Sequence, residues 1–323
     1  MTLDGAVLGR RIVVRHETGG VGPSGGPEMN DVIGHVTAVD ATSVTLELRD
    51  GRTADVALST IVTWKPVPER PVRRRRATSV DAEDLTVITS RGWPAIESVA
   101  LGDWELRAAG RFTGRANSVA ATGSPGVPFE QAVDRVIAFY AERSMPALAQ
   151  VVVGSTHEQA FRGAGWVPMQ GYHGGAVVQV ADLEPAYAVD PEARVSSTAD
   201  DDWLANYGRV DDPVHARAVM EGPSHVGFVS IGSPAVAIGR VVVTGEWAGL
   251  SAVEVQPAAR RQGLARRIVE TSLGWAVEHG ADKAYLQTMR SNTAALALYA
   301  PYDFADHHDY LYLEPSSTGS AQR

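Results

Sequence analysis

The chain has no cysteine. Disulfides and thiolate metal sites are therefore excluded, and so is an acyl-cysteine intermediate; an acyl group would have to pass directly from donor to acceptor or through a weaker nucleophile. Lysine is nearly absent too, with Lys65 and Lys283 the only two, so arginine carries almost all the positive charge. Beside the heavy load of Ala, Gly and Val, this reads as a composition bias rather than a function. Basic side chains number 29 against 38 acidic ones, and a net charge of −9 argues against a broad nucleic-acid surface. No apolar stretch is long enough to span a bilayer. The start, Met1-Thr-Leu-Asp4, lacks a basic segment followed by an apolar core. A cytoplasmic protein without membrane contact is the expectation. The nine histidines show no metal-ligand spacing, and the side chains of His307 and His308 would diverge on a strand, so no metal is expected.

What is present is enough chain, 323 residues, for two or three compact domains. Residues 8–65 alternate apolar and polar with short turns and no helix. Strands are expected at 11–15, 32–39, 43–48, 53–57 and 61–64, with a Gly/Pro/Ser loop over 19–27 and a hairpin turn at Asp50-Gly51. Five short strands suggest a small SH3-like barrel over residues 1–68, with packing or regulation the expected role ahead of ligand binding. Residues 69–79, with the run Arg73 to Arg76, read as a solvated linker. Residues 80–190 mix helices at 81–91 and 130–143 with strands at 104–108, 115–120 and 147–153. The last unit, 193–315, carries short helices at 200–207 and 213–221 and strands at 226–231, 235–243 and 250–255. Residues 316–323 read as a disordered tail.

The stretch that organises the chain is Glu254-Val255-Gln256-Pro257 and the basic turn after it. Pro257 ends a strand of small and β-branched residues, because proline cannot donate to a central ladder. Leu264, Ile268, Thr271 and Trp275 then recur at helical spacing until Gly280. A strand, a turn containing Gly263 and a helix N-terminus point free backbone N–H groups at one spot, with the positive end of the helix dipole behind them. An anion belongs there, and the flanking arginines suggest one bearing phosphate.

Arg260-x-x-Gly263-x-Ala265 resembles the pyrophosphate loop of the GNAT acetyltransferases. A strand at 283–288 and then Asn292-x-x-Ala295-x-x-Leu298-Tyr299 are similar to the second signature of that family. The family usually continues with a Gly-Phe turn; here Asp303 replaces the glycine and Phe304 remains. The resemblance covers about residues 193–314 and implies an α+β fold of the GNAT type. Helix 130–143, strand 147–153, a short helix near 157–161 and Gly165-Trp166 repeat the order seen from Leu264 onward, which suggests a tandem arrangement with a degenerate first half. Residues 121–128 lack the basic loop pattern. Gly114-Arg115-Ala116-Asn117-Ser118, with Trp93 and Trp104, is similar to actinobacterial two-GNAT proteins often labelled N-acetylglutamate synthase-like. On a strand, Arg115 and Asn117 would share a face and could hold a carboxylate; a structural hydrogen-bonded network is the favoured alternative.

The resemblance implies acetyl-CoA as acyl donor and a primary amine as acceptor, in a monomer or homodimer without nucleic acid. The pantetheine arm would lie along Val253, Glu254 and Val255. The pyrophosphate would rest on Arg260, Arg261, Gln262, Gly263, Leu264, Ala265 and Arg266, with Asn292 and Tyr299 alongside. A neutral amine needs a base, and Glu254 is the first candidate, with Glu246 behind it. Tyr299 is the candidate proton donor to the departing thiolate. A small-molecule or amino-acid N-acetyltransferase is expected; peptide acetylation and a non-catalytic acyl-CoA sensor are the alternatives.

Overall fold

Ile12, Val14, Val36, Val44, Leu46 and Val56 are buried together, in alternation with more exposed neighbours along their strands. In the computed structural model, which describes residues 7–21, 25–48, 52–67, 76–110, 112–171, 174–208 and 212–316, that alternation builds one antiparallel sheet. Its strands are β1 (Arg11–Val21), β2 (Pro27–Val39), β3 (Ser43–Glu47), β4 (Thr53–Ala57) and β5 (Ile61–Pro66), in the order β4-β3-β2-β1-β5. Two expectations change. Among the described residues nothing pairs β4 with β5, so the sheet stays open where a closed barrel was expected. The 19–27 loop is shorter than its composition suggests, because β1 and β2 run on as a ribbon until Val21 meets Pro27. Asp50-Gly51 and Arg73 to Arg75 lie outside the described residues.

Residues 1–74 form one compact unit and residues 75–323 a second. The second begins with α1 (Ala82–Gly92), capped by the Asp81 side chain, and β6 (Glu97–Leu101). There follow β7 (Trp104–Ala108), β8 (Val119–Ala120), α2 (Phe129–Glu142), β9 (Ala149–Val152), α3 (Thr156–Gly163), β10 (Trp166–Pro168) and β11 (Gly175–Asp182). Then come β12 (Ala193–Ser196), α4 (Asp201–Tyr207), α5 (Pro213–Met220), β13 (Val226–Gly232), β14 (Ala235–Thr244) and β15 (Trp247–Val255). Last are α6 (Leu264–Glu278), β16 (Lys283–Thr288), α7 (Thr293–Tyr299) and β17 (Ala305–Pro315).

These strands make one sheet in the order β12-β13-β14-β15-β16-β11-β17-β9-β8-β7-β6, with β10 beside β17. Segments 80–190 and 193–315, expected as separate domains, are interleaved. β11, from the first segment, pairs with β16 of the second, and β17, from the second, pairs with β9 of the first. Neither segment can leave the sheet without breaking ladder bonds of the other. Most neighbours are antiparallel, but β8–β9 and β15–β16 are parallel. Each parallel pair is bridged by a helix, α2 for the first and α6 for the second, as a parallel connection requires.

α6 lies on the sheet through Leu264, Ile268, Val269, Leu273 and Ala276, all buried in one cluster with Val241, Leu250 and Leu286. Full burial of each such aliphatic side chain is worth about 1.5–3 kcal/mol, which fixes the height of the helix N-terminus over the strand ends. The approach is close at Gly239 on β14, where a Cβ would come within 2.4 Å of Ile268 Cγ2. α2 and α3 cover the other end of the sheet through Ala132, Val136, Phe139 and Phe161.

The stretch expected as a strand over 115–120 is strand only at β8; Gly114–Ala116 is a single 3-10 turn. Arg115 and Asn117 therefore do not share a strand face. Asn117 is buried and staples the loop: its Oδ1 accepts from Ala109 N at 2.7 Å, and its Nδ2 donates to the carbonyls of Phe112 and Thr113, both at 2.9 Å. Beside it the buried Arg107 donates to Ser118 O, Ser118 Oγ, Ser90 Oγ and Gln150 Oε1. Truncating Asn117 leaves three backbone groups without partners at about 1–3 kcal/mol each before relaxation. Asn117→Ala should cost the second unit about 2–4 kcal/mol after partial rescue by water, seen as a lower urea midpoint; an unchanged midpoint would show the staple to be dispensable.

Candidate active site

The site is made by a strand that leaves its neighbour. β15 pairs in parallel with β16 from Trp247↔Lys283 to Leu250↔Leu286 and no further, while its antiparallel pairing with β14 runs on to Val255. The cause is a bulge. Ser251 faces Arg240 and Glu254 faces Ile238, so Ala252 and Val253 together oppose Gly239. Ala252 takes a left-handed backbone, φ 56°. An extra residue bends its strand and increases the local twist, which turns β15 away from β16. The backbone edge beyond Leu250 faces a cavity of about 740 Å³ instead of a strand. Ser251 lines it, and its buried Oγ has no hydrogen-bond partner among the described residues.

Beyond the splayed end of β15, the chain passes through a short 3-10 turn, Pro257–Ala259, into α6. Arg261 and Gly263 are both left-handed, with φ 62° and 79°. Gly263 is the N-cap residue, and among the described residues no side chain caps the helix. Among the described residues, no acceptor is found for the backbone N–H groups of Arg261 to Arg266. A Cβ at Gly263 would meet nothing within 4 Å, so the glycine is needed for its backbone angle and for approach from outside, not for packing. Six unclaimed amides at the positive end of a helix, with Arg260, Arg261 and Arg266 around them, fit a phosphate-bearing ligand.

Of the residues expected at the cofactor, Val253, Glu254, Val255, Arg260, Arg261, Gly263, Leu264, Ala265, Arg266, Asn292 and Tyr299 all line this cavity. Gln262 does not. Two of the arginines are partly engaged: Arg260 Nε donates to Val255 O at 3.1 Å, and Arg266 pairs with Glu270 at 2.8 Å along the helix. Asn292 caps α7 by accepting from Ala295 N at 3.1 Å. Tyr299 packs edge-on to Phe304 with ring centroids 5.5 Å apart. Burial pushes its phenol well above the ordinary 10, and the charge of Glu254 across the cavity adds to the rise. Tyr299 therefore keeps its proton at any ordinary pH and stands as a donor.

The fork opens into a second cavity of about 890 Å³. Arg115, Tyr207, Gln287, Thr288 and Asn292 line both, and so mark the junction. The second cavity has an aromatic wall of Phe112, Tyr310 and Tyr312, with Asp212, which is paired to His215, at its edge. Asn117 lies on its wall but is committed to the loop bonds described above. Glu246 is elsewhere, in the β14–β15 turn, paired to Lys283 at 2.9 Å and on neither cavity. It sits at the far end of the hairpin from the fork, which removes it from reach of the junction. The sequence reading missed Tyr207, Gln287 and Thr288, and Arg240 on β14. Arg240 carried a signal, being a lone charge between apolar residues of a strand; the others did not.

At the other parallel pair the loop amides are already taken. Residues 121–128 connect β8 to α2, but Gly123 N donates to Glu83 Oε2 at 2.7 Å and Ser124 N to Asp103 Oδ2 at 2.8 Å. Carboxylates of the chain itself occupy amides that in the second turn are unclaimed.

A family model described as "Probable histone acetyltransferase Rv0428c C-terminal" matches residues 81–313, and one described as "Rv0428c N-terminal Sm-like domain" matches residues 6–65. The latter replaces the expected SH3-like description of the N-terminal unit. A protein from Bacillus subtilis (strain 168), "Uncharacterized N-acetyltransferase YobR", is 33% identical over 75 residues, which is 22% of this chain and only 30% of that relative. Among solved structures, a "GCN5-related N-acetyltransferase from Kribbella flavida" superposes with a TM-score of 0.52 at 14% identity, over 72% of this chain and 95% of that one. A GCN5-related N-acetyltransferase from Sphaerobacter thermophilus gives a TM-score of 0.45 at 16% identity, over 61% and 71%.

Proposed function

The chain belongs to the acetyltransferase family described as "Probable histone acetyltransferase Rv0428c C-terminal", and from that premise we infer that it moves an acetyl group from acetyl-CoA directly to a primary amine of a small molecule, amino acids included. The observation that carries this reading is the fork itself, with Glu254 and Tyr299 on one cavity that opens into a second. Bound acetyl-CoA supplies an acetyl thioester. The amides of Arg261 to Ala265 would hold its pyrophosphate, and the unpaired edge of β15 its pantetheine arm. Glu254 takes a proton from the amine, directly or through one water, so that nitrogen attacks as the neutral form. Tyr299 donates a hydrogen bond to the sulfur as it gains charge. With a phenol pushed above 10 and a thiol near 8.5, full transfer from Tyr299 runs uphill, so hydrogen bonding is its main contribution.

The two parallel strand pairs, each bridged by a helix, support reading residues 75–323 as a tandem of two GNAT-like halves. Glu83 and Asp103 would then have taken the place of phosphate in the first half, leaving one acetyl-CoA site per chain.

The word "histone" in the family description favours a second reading, transfer to a lysine of a basic protein. A screen separates the two: free thiol is followed as acetyl-CoA is mixed with pools of small amines or with lysine-rich peptides, and products are weighed by mass spectrometry. Small acetylated amines are expected. Products only from the peptides would establish the second reading, and acetyl-CoA binding with no transfer to any amine would leave a sensor.

A further inference from the structure

The second cavity, at about 890 Å³, has the size of sites that bury drug-sized ligands. An amine of a few heavy atoms would leave most of it to water. Several of the polar side chains on its wall are already spent on the chain itself. Asn117 holds the loop bonds described above, and Asn292 caps α7. Thr113 Oγ1 accepts from Trp93 Nε1 at 2.9 Å, and Gln287 Oε1 accepts from the Tyr310 hydroxyl at 3.1 Å. Among the described residues that line the cavity, two are charged. Asp212 is paired with His215. Arg115 stands at the junction with the fork, its guanidinium carbon 4.4 Å from the ring centroid of Trp93.

The rest of the wall is of two kinds. Tyr310 and Tyr312 stand two residues apart on one face of β17, with ring centroids 5.6 Å apart and planes at 79°. Phe112 stacks on Trp93 at 5.8 Å. Burial holds the Tyr312 phenol well above 10, so it meets a ligand as a neutral ring. Stacking, hydrogen bonding and burial make these three rings a rigid surface. Met145, Met169 and Met289, each just past the end of an element (α2, β10 and β16), line the same cavity. The chain has only six methionines, so half of them gather at one place. Unbranched, polarisable thioethers adapt to apolar surfaces of differing outline and pack well on aromatic rings. Rigid rings beside adaptable thioethers select for apolar area rather than for charge.

The junction is where the amine must meet the thioester, so the nitrogen lies at the near end of the acceptor and its body reaches into the second cavity. We propose that the acceptor is a primary amine with a large apolar body, alkyl or aryl, and that Met145, Met169 and Met289 hold this body against the aromatic wall. This rests on the N-acetyltransferase reading above and names what that reading leaves open. The same wall disfavours a lysine set among other basic residues, whose charges would have to leave water for an apolar surface.

The test keeps the amine constant and lets the body grow: ethylamine, butylamine, hexylamine and phenethylamine, with a lysine-rich peptide beside them, followed by thiol release from acetyl-CoA. In the parent, kcat/KM should rise about fourfold per methylene, chiefly through KM, and so by at least about 100-fold from ethylamine to hexylamine. Phenethylamine should fall within about tenfold of hexylamine. Met169→Ser and Met289→Ser should each lower the ratio of hexylamine to ethylamine by about tenfold, and either suffices if the other fails to fold. An unchanged KM for acetyl-CoA, whose cavity neither residue lines, and an unchanged near-UV spectrum would show that the fork and fold survive. Equal use of ethylamine and hexylamine by the parent, a ratio untouched in both folded variants, or preference for the peptide would each overturn the proposal. So would preference for octanoyl-CoA over acetyl-CoA with no gain from larger amines, since the cavity would then house the donor's acyl chain. If no amine is acetylated at all, the catalytic reading fails on its own. Calorimetric titration of hexylamine into the CoA-loaded protein then decides the pocket, which stands if binding weakens about tenfold in the variants and falls if binding is unchanged or absent from the parent.

Discussion

Glu254→Gln should lower kcat by about 10²–10⁴, the span lost when a positioned general base is removed. The change keeps the side-chain volume and leaves the β15 backbone as it is, so the KM for acetyl-CoA should move by less than about threefold. The loss should depend on pH. In the parent, the rate depends on the carboxylate as proton acceptor and on the fraction of amine that is neutral. In the variant the rate should follow the amine's own titration alone and rise toward alkaline pH. Tyr299→Phe should act differently. Removing one hydrogen bond to a developing thiolate costs about 1.5–3 kcal/mol, roughly 10- to 100-fold in kcat, and the pH profile should keep its shape because the phenol is protonated throughout. Steady-state rates from pH 5 to 10 check both variants. A Glu254→Gln enzyme with full kcat and an unaltered profile would reduce Glu254 to a structural charge.

Much of this site was legible before any coordinates. The Gly263 turn and the Asn292 cap follow from local rules, namely proline ending a strand, glycine permitting a left-handed angle and apolar residues recurring along a helix, whereas bringing Glu254 and Tyr299 to one site was implied by the resemblance to the GNAT family. What the sequence did not reveal depends on partners far along the chain. β11 reads Gly-Ala-Val-Val-Gln-Val-Ala-Asp, a sound strand in isolation, yet nothing local says that it inserts between β16 and β17. That exchange joins two expected domains into one sheet. Arg115 was singled out on an expected strand face; it stands instead in a 3-10 turn, over a ring contributed by Trp93. Asn117 was paired with it by strand periodicity, which fails when the strand is two residues long. The open N-terminal sheet illustrates a third limit, since alternation predicts strands and their faces but not whether the last strand meets the first.

Gly263→Glu should produce the second large effect. The residue has a φ of 79° and open space around its missing Cβ. Within the folded chain the substitution meets only the strain of a left-handed backbone, about 1–2 kcal/mol. For a bound pyrophosphate it is far worse, because a carboxylate enters the ring of amides and repels the phosphates. Losing two charged hydrogen bonds costs about 3–6 kcal/mol at roughly 1.5–3 each, so affinity should fall by about 10²–10⁴. The most direct test of the whole account is a calorimetric titration of acetyl-CoA into the parent and into this variant. One site per parent chain is predicted, with binding weakened at least about 100-fold in a variant that retains its circular dichroism. Two sites per parent chain, or parent-like affinity in the folded variant, would contradict the assignment of the β15–α6 fork as the acetyl-CoA site.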